Sequence, residues 1–210
     1  RRGQHYAQAL PEPLRSERLI ELMEIELAAR PIEAGEKIAQ GLEQLAGTAL
    51  DHDRPDLAWR CYKMMADIRW AQGSWSDARM DSLHAELISR SASEEERVSA
   101  LGEAARCLTM LERDLEVAQA LVLEGQALSH RLGMDSDAIA DARGLLAAYR
   151  GDHEEARESF VQARLLARRS GHRLEEFLAL SHLVILELEQ ENWEGVSRHC
   201  EEMSTLAERI

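Results

Sequence analysis

Apolar residues recur along this chain at helical spacing. Leu19, Leu22, Met23 and Leu27 stand three and four apart, and so do Tyr62, Met65, Ala66 and Trp70. That spacing gathers side chains on one face of a helix with 3.6 residues per turn, whereas a strand would need strict alternation. The runs break at "DHDRPD" (51–56), "SRSASEEE" (89–96), "RLGMDSD" (131–137) and "RSGHRLE" (169–175). Each break carries Gly, Pro, Ser or Asp, the residues that punctuate helices. Ser93 and Glu96 have the spacing of a capping box, which predicts a helix start there.

The pattern repeats. "RWAQGSWSDARMDS", "TMLERDLEVAQALV", "AAYRGDHEEARESF" and "ELEQENWEGVSRHC" align on one another. Each has a polar turn, then a large residue (Trp75, Leu115, His153, Trp193), then a small or branched one three places on (Ala78, Ala118, Ala156, Val196). The large residues follow each other at 40, 38 and 40 residues. A weaker copy leads to Pro31-Ile32 and Gly35. A fixed period of this length is the mark of stacked helical hairpins, none of which can bury its apolar face alone. The small residue predicts close approach of the two helices of a hairpin. The large one predicts a wedge against the preceding helix.

Composition agrees. Hydrophobic residues make up 45% of the 210 residues, with four prolines and only 4% aromatics, which favours a helical core over strands or disorder. The net charge of −14 argues against direct contact with nucleic acid or an anionic membrane, since either would be repelled. The densest basic cluster, Arg164 with Arg168 and Arg169, sits among acids. Three scattered cysteines, Cys61, Cys107 and Cys200, suit buried thiols in a reducing cytoplasm better than a disulfide framework. No apolar run reaches the roughly 18 residues of a membrane span, and "RRGQHYAQAL" has no signal-peptide core. The absence of an initiator Met leads us to expect a piece of a longer multidomain protein.

"GSWSDA", "GDHEEARESFVQA" and "NWEGVSRHC" resemble the Gly-x-aromatic-x-x-Ala turn and second helix of the tetratricopeptide repeat. Ala66 and Gly144 match its small first-helix slot, and Ala85 and Ala163 its late second-helix slot; Arg106 departs from the pattern. The period is longer than the family's usual 34 residues. The resemblance implies an all-α fold: a right-handed superhelix of about five antiparallel helical hairpins, an α-solenoid. It implies one helical-repeat domain over 1–210, with repeats near 16–50, 56–91, 94–132, 136–170 and 173–210. The long period, "YAQALPEPLRSERLIELMEIELAA" and "RLEEFLALSHLVILELEQENWEGVSRHCEEMSTLAERI" are similar to the C-terminal repeat regions of bacterial signalling ATPases and maltose-regulator-type transcription activators. That similarity implies a regulatory or sensor module.

Chemistry is hard to find. There is no phosphate-binding G-x-x-x-x-G-K-[ST], no H-E-x-x-H and no C-x-x-C, and adjacent His199-Cys200 point about 100° apart on a helix. Glu154, Glu155 and Glu158 read as a solvated helix face. No catalytic residue, metal site or cofactor is expected. Stacked hairpins line a concave groove with their first helices, which predicts a partner-binding face of Arg60, Lys63, Asp67, Trp70, Glu103, Asp141, Tyr149, Leu178, Ser181 and Ile185, with Cys107, Met110, Leu145 and Leu188 beside them. Trp70 and Tyr149 are the aromatic anchor candidates. The helix "FLALSHLVILELEQ" is apolar almost all round, so we expect it to be covered on several sides, with self-association through the C-terminal helices or a further repeat against them. The expected partner is a protein or peptide, or a small effector, with no nucleic acid and no membrane. An architectural or oligomerisation arm without a ligand, and an enzyme with an unrecognised site, stay open as alternatives.

Overall fold

The computed structural model describes residues 7–29 and 35–208, and the described residues form helices and turns with no strand. The helices are α1 (Leu14–Ala29), α2 (Gly35–Asp51), α3 (Pro55–Ala71), α4 (Trp75–Ser89), α5 (Glu94–Met110), α6 (Leu115–Leu132), α7 (Asp137–Tyr149), α8 (His153–Ser170), α9 (Arg173–Glu189) and α10 (Trp193–Ala207). The odd-numbered helices are the first members of the hairpins. The turn at Pro31-Ile32 lies outside the described residues.

One device ends seven of these helices. Asp53, Gly73, Glu112, Gly133, Gly151, Gly171 and Glu191 all take positive φ, between 53° and 77°. In each case the next amide donates back to a carbonyl five residues earlier: Arg54 to Ala49, Ser74 to Arg69, Arg113 to Leu108, Met134 to Ser129, Asp152 to Ala147, His172 to Ala167 and Asn192 to Glu187, at 2.8–3.1 Å. This closure satisfies carbonyls that the helix end would leave orphaned. Starts are capped as well. Ser136, Asp152 and Asn192 accept the amides of Ile139, Glu155 and Gly195. Ser93 and Glu96 form the expected reciprocal box, at 3.0 and 3.2 Å.

The chain forms two compact units, Arg1–Ala100 and Leu101–Ile210. In the first, α2, α3 and α4 pack in succession, and α1 touches both α2 and α3. Its core gathers Ile20, Leu42, Leu57, Cys61, Met65 and Ile68. In the second, α6 to α10 pack in succession and α7 also touches α9. There Phe160 packs with Ala147, Ala156, Leu183 and Leu186. Contact with the next helix and the next but one lets a modest apolar face on each helix add up to a continuous core.

The small residues do what their spacing predicts. Ala78, Ala118 and Ala156 have no exposed surface. Gly144 is a close case: a Cβ there would meet the Phe160 ring at 2.5 Å. The wedge expectation fails at the two tryptophans, while Leu115 and His153 are half-buried. Trp75 is 54% exposed and Trp193 67% exposed. Trp75 instead lies against Trp70, ring centroids 6.3 Å apart. In the last hairpin the fully covered small residue is Gly195 and not Val196, which is half-buried.

Gly144→Ala will therefore destabilise the protein by about 1–3 kcal/mol, overpacking against Phe160 outweighing the better helix propensity of alanine. Gly47→Ala, in a helix with nothing within 4 Å of the new Cβ, will stabilise it by about 0.5–1 kcal/mol. Urea unfolding of the two variants beside the wild type measures both signs.

Candidate partner-binding site

The residues expected on the first-helix face divide by unit. In the first unit, Arg60, Lys63, Asp67 and Trp70 all lie partly exposed on α3. They are occupied with one another and with their neighbours. Arg60 donates two hydrogen bonds to Glu24 of α1, at 2.9 and 2.6 Å, and Lys63 reaches Asp67 one turn on, at 3.2 Å. A guanidinium held in a fork by a carboxylate is preorganised, and also less available to a partner. Trp70 is the ring against which Trp75 leans.

In the second unit the first helices carry a buried charged cluster. Arg106 of α5 is 8% exposed and stands where other copies have Ala66 and Gly144. A side chain that long cannot stay in the small slot, so it extends to two carboxylates: Glu103 on its own helix and Glu175 on α9. Burial works against its charge, but Glu103, Glu175 and Asp141 together outweigh that and hold the guanidinium protonated, its pKa well above the usual value.

Asp141 of α7, expected to face a partner, is 4% exposed. It faces inward because His182 of α9 takes its Oδ1 at 2.9 Å, and its Oδ2 has no hydrogen-bond partner. His182 in turn packs on Phe160, ring centroids 5.1 Å apart. Glu103 is half-buried under Arg106, so neither acid offers a free charge to solvent. Sequence reasoning missed His182 and Glu175; the signal that pointed to them was Arg106, an arginine in a slot shaped for alanine.

The exposed members of the expected face are apolar. Tyr149 is 43% exposed at the end of α7, Ile185 53% and Leu188 42% on α9. Leu178, Ser181, Leu145 and Met110 are half-buried, and Cys107 is buried. The apolar helix α9 is covered, as expected, on several sides: Ala179, Leu180, Leu183 and Leu186 are buried, and only a stripe remains open.

A second buried carboxylate lies at the other end of α9. Glu187 is fully covered and meets Arg157 of α8 and Asn192 of the following turn, which donates at 2.6 Å. His199 of α10 faces it at 3.9 Å. His199 is buried, which lowers its pKa, and Arg198, Arg164 and Arg157 push it further down against the opposing pull of Glu202. Burial likewise raises Cys61 to about 12, so that thiol stays protonated and is a poor nucleophile. No group of three or more His, Cys, Asp or Glu among the described residues could hold a metal ion. None of the helices is long and apolar enough to cross a membrane among the described residues.

No family model matches the chain, and no curated protein matches it. Among solved structures it is similar to BtubC (BKLC) from P. vanneervenii, with a TM-score of 0.63 and 18% sequence identity, over 99% of this chain and 88% of that one. At that identity the likeness speaks to the fold, an all-α chain of helical hairpins.

Arg106→Ala will cost about 3 kcal/mol, because it leaves Glu103 and Glu175 facing each other without their counter-charge. Adding Glu103→Gln and Glu175→Gln will recover part of the loss; chemical denaturation of the single and triple variants reads the coupling, and strictly additive losses would contradict it. His199, whose folded pKa lies below its unfolded value near 6.5, binds its proton more readily unfolded. Stability therefore falls as pH drops through about 6.5 towards the folded pKa, and the loss is complete below it. Denaturant curves between pH 7.5 and pH 5 will show a smaller acid loss for His199→Gln than for the wild type.

Proposed function

We propose that the chain is a non-catalytic, protein-binding module, and that it docks a partner segment on the open stripe of α7 and α9. The observation that carries this reading is the exposure of Tyr149, Ile185 and Leu188 on two first helices in contact with each other. Large apolar side chains held open on ordered helices are what an interface core is made of, and an aromatic ring supplies anchoring area at low entropic cost. The partner segment therefore carries apolar anchors, and the acidity of the whole chain favours a cationic residue beside them.

The tetratricopeptide-like turns and the likeness to repeat regions of bacterial signalling ATPases and transcription activators support a regulatory or sensor role in a cytoplasmic bacterial protein, with catalysis or DNA contact left to other domains. The internally paired Arg60, Lys63 and Asp67 contribute less to this reading than the C-terminal stripe.

The test is a capture experiment with the wild type, Tyr149→Ala, Ile185→Ser and the pair, using as control Val161→Ser, an exposed position on the second helix α8. Cross-linked partners will be retained by the control and weakened about tenfold or more by the variants of the stripe. Retention unchanged in the double variant would move the docking site elsewhere.

A further inference from the structure

The second helices of the same unit carry a different surface. Between α8 and α10, over the first half of α9, lies a cavity of about 500 Å³. Four guanidiniums line it, those of Arg164, Arg168, Arg173 and Arg198, against three carboxylates, those of Glu176, Glu201 and Glu202. A local excess of positive charge is unexpected in a chain with a net charge of −14.

The internal pairing leaves cationic groups to spare. Glu176 is 6% exposed and accepts from Arg168 Nε at 2.8 Å, with Arg164 3.9 Å away. Glu202 is taken by Arg164. Arg168 is thereby held through Nε, and it lines the cavity. Arg198 stands opposite on α10, with no hydrogen bond or ion pair among the described residues. The positive field is felt behind the wall: Arg198 and Arg164 both depress the buried His199, whose Nδ1 has no hydrogen-bond partner and lies 3.9 Å from Glu202 Oε1. The floor is apolar, formed by Leu180 and Leu206, with the Thr205 hydroxyl at its edge.

We propose that this cavity binds a phosphate dianion, with Arg168 and Arg198 as its principal donors. Planar guanidiniums match tetrahedral phosphate oxygens in pairs, and a fixed Arg168 spends little entropy on doing so. The volume lies within the range of small-molecule pockets, leaving room over Leu180, Leu206 and Thr205 for the organic part of a phosphate ester. This site lies on helix faces other than the partner stripe and stands independently of it.

Isothermal titration of the full chain with inorganic phosphate and with glucose 6-phosphate, at constant ionic strength set with chloride, tests the proposal. Saturable binding is expected, weakened about tenfold or more by Arg168→Ala and by Arg198→Ala and preserved by Tyr149→Ala. Tighter binding of the ester would mark an organic phosphate as the ligand, and equal binding the free ion. Arg198 is exposed, so Arg198→Ala and Arg198→Gln should keep the wild-type thermal melt; Arg168→Ala, which removes a partner of buried Glu176, should lower the melt without abolishing folding. Absence of saturable binding by both probes, or binding undiminished in the Arg168→Ala/Arg198→Ala double variant, would overturn the assignment.

Discussion

Arg106 cannot be buried alone. A guanidinium stays charged at any accessible pH, so taking it out of water obliges carboxylates to come with it. In the unit from Leu101 onward those carboxylates are on different helices, Glu103 on α5 and Glu175 on α9. The pairing thus fixes α9 against α5 at a particular height. Asp141 of α7 adds to the same field and is itself held by His182 of α9. His182 leans on Phe160, and Phe160 sits where it does because Gly144 has no Cβ. One chain of contacts therefore joins four helices, with a charge at one end and a missing methyl group at the other. Apolar packing alone would allow these helices to slide by a turn; the ion pairs do not.

Much of this was legible in the sequence, for a physical reason. Helix existence follows from local periodicity, and the turns from residues that tolerate positive φ or supply a cap. Gly73, Gly133, Gly151, Gly171, Ser93 with Glu96 and the buried Ala78, Ala118 and Ala156 are all local signals of that kind. Asp53, Glu112 and Glu191 occupy the same left-handed position without being glycine, so the letters do not mark those turns as a glycine would.

The candidate face was less legible because burial of a polar residue depends on a partner distant in sequence. Asp141 reads as a groove acid until His182, on another helix, turns it inward. Trp75 and Trp193 read as wedges because the family pattern places a large residue there, yet size does not settle direction at the first position of a helix. The departure that mattered was Arg106. A residue too long and too polar for its slot must be answered somewhere, and the answer came from Glu175, which no local pattern marks.

Helix α9 carries buried ionic groups and exposed apolar groups along one element. Its first turn sends Glu175 towards Arg106 and Glu176, about 100° further round, towards Arg164 and Arg168. Its last turn buries Glu187 under Arg157 and Asn192 while leaving Leu188 open. The ordinary amphipathic rule holds for Ala179, Leu180, Leu183 and Leu186 but breaks elsewhere: His182, Glu176 and Glu187 are inside, and Ile185 and Leu188 are outside. Buried ionic groups add little net stability against an apolar core, but each is costly to leave unpaired, which penalises alternative positions of the helix. Exposed apolar groups add nothing to the folded monomer. An element that places its polar groups where they fix register and its apolar groups where water meets them fits the docking surface proposed for it.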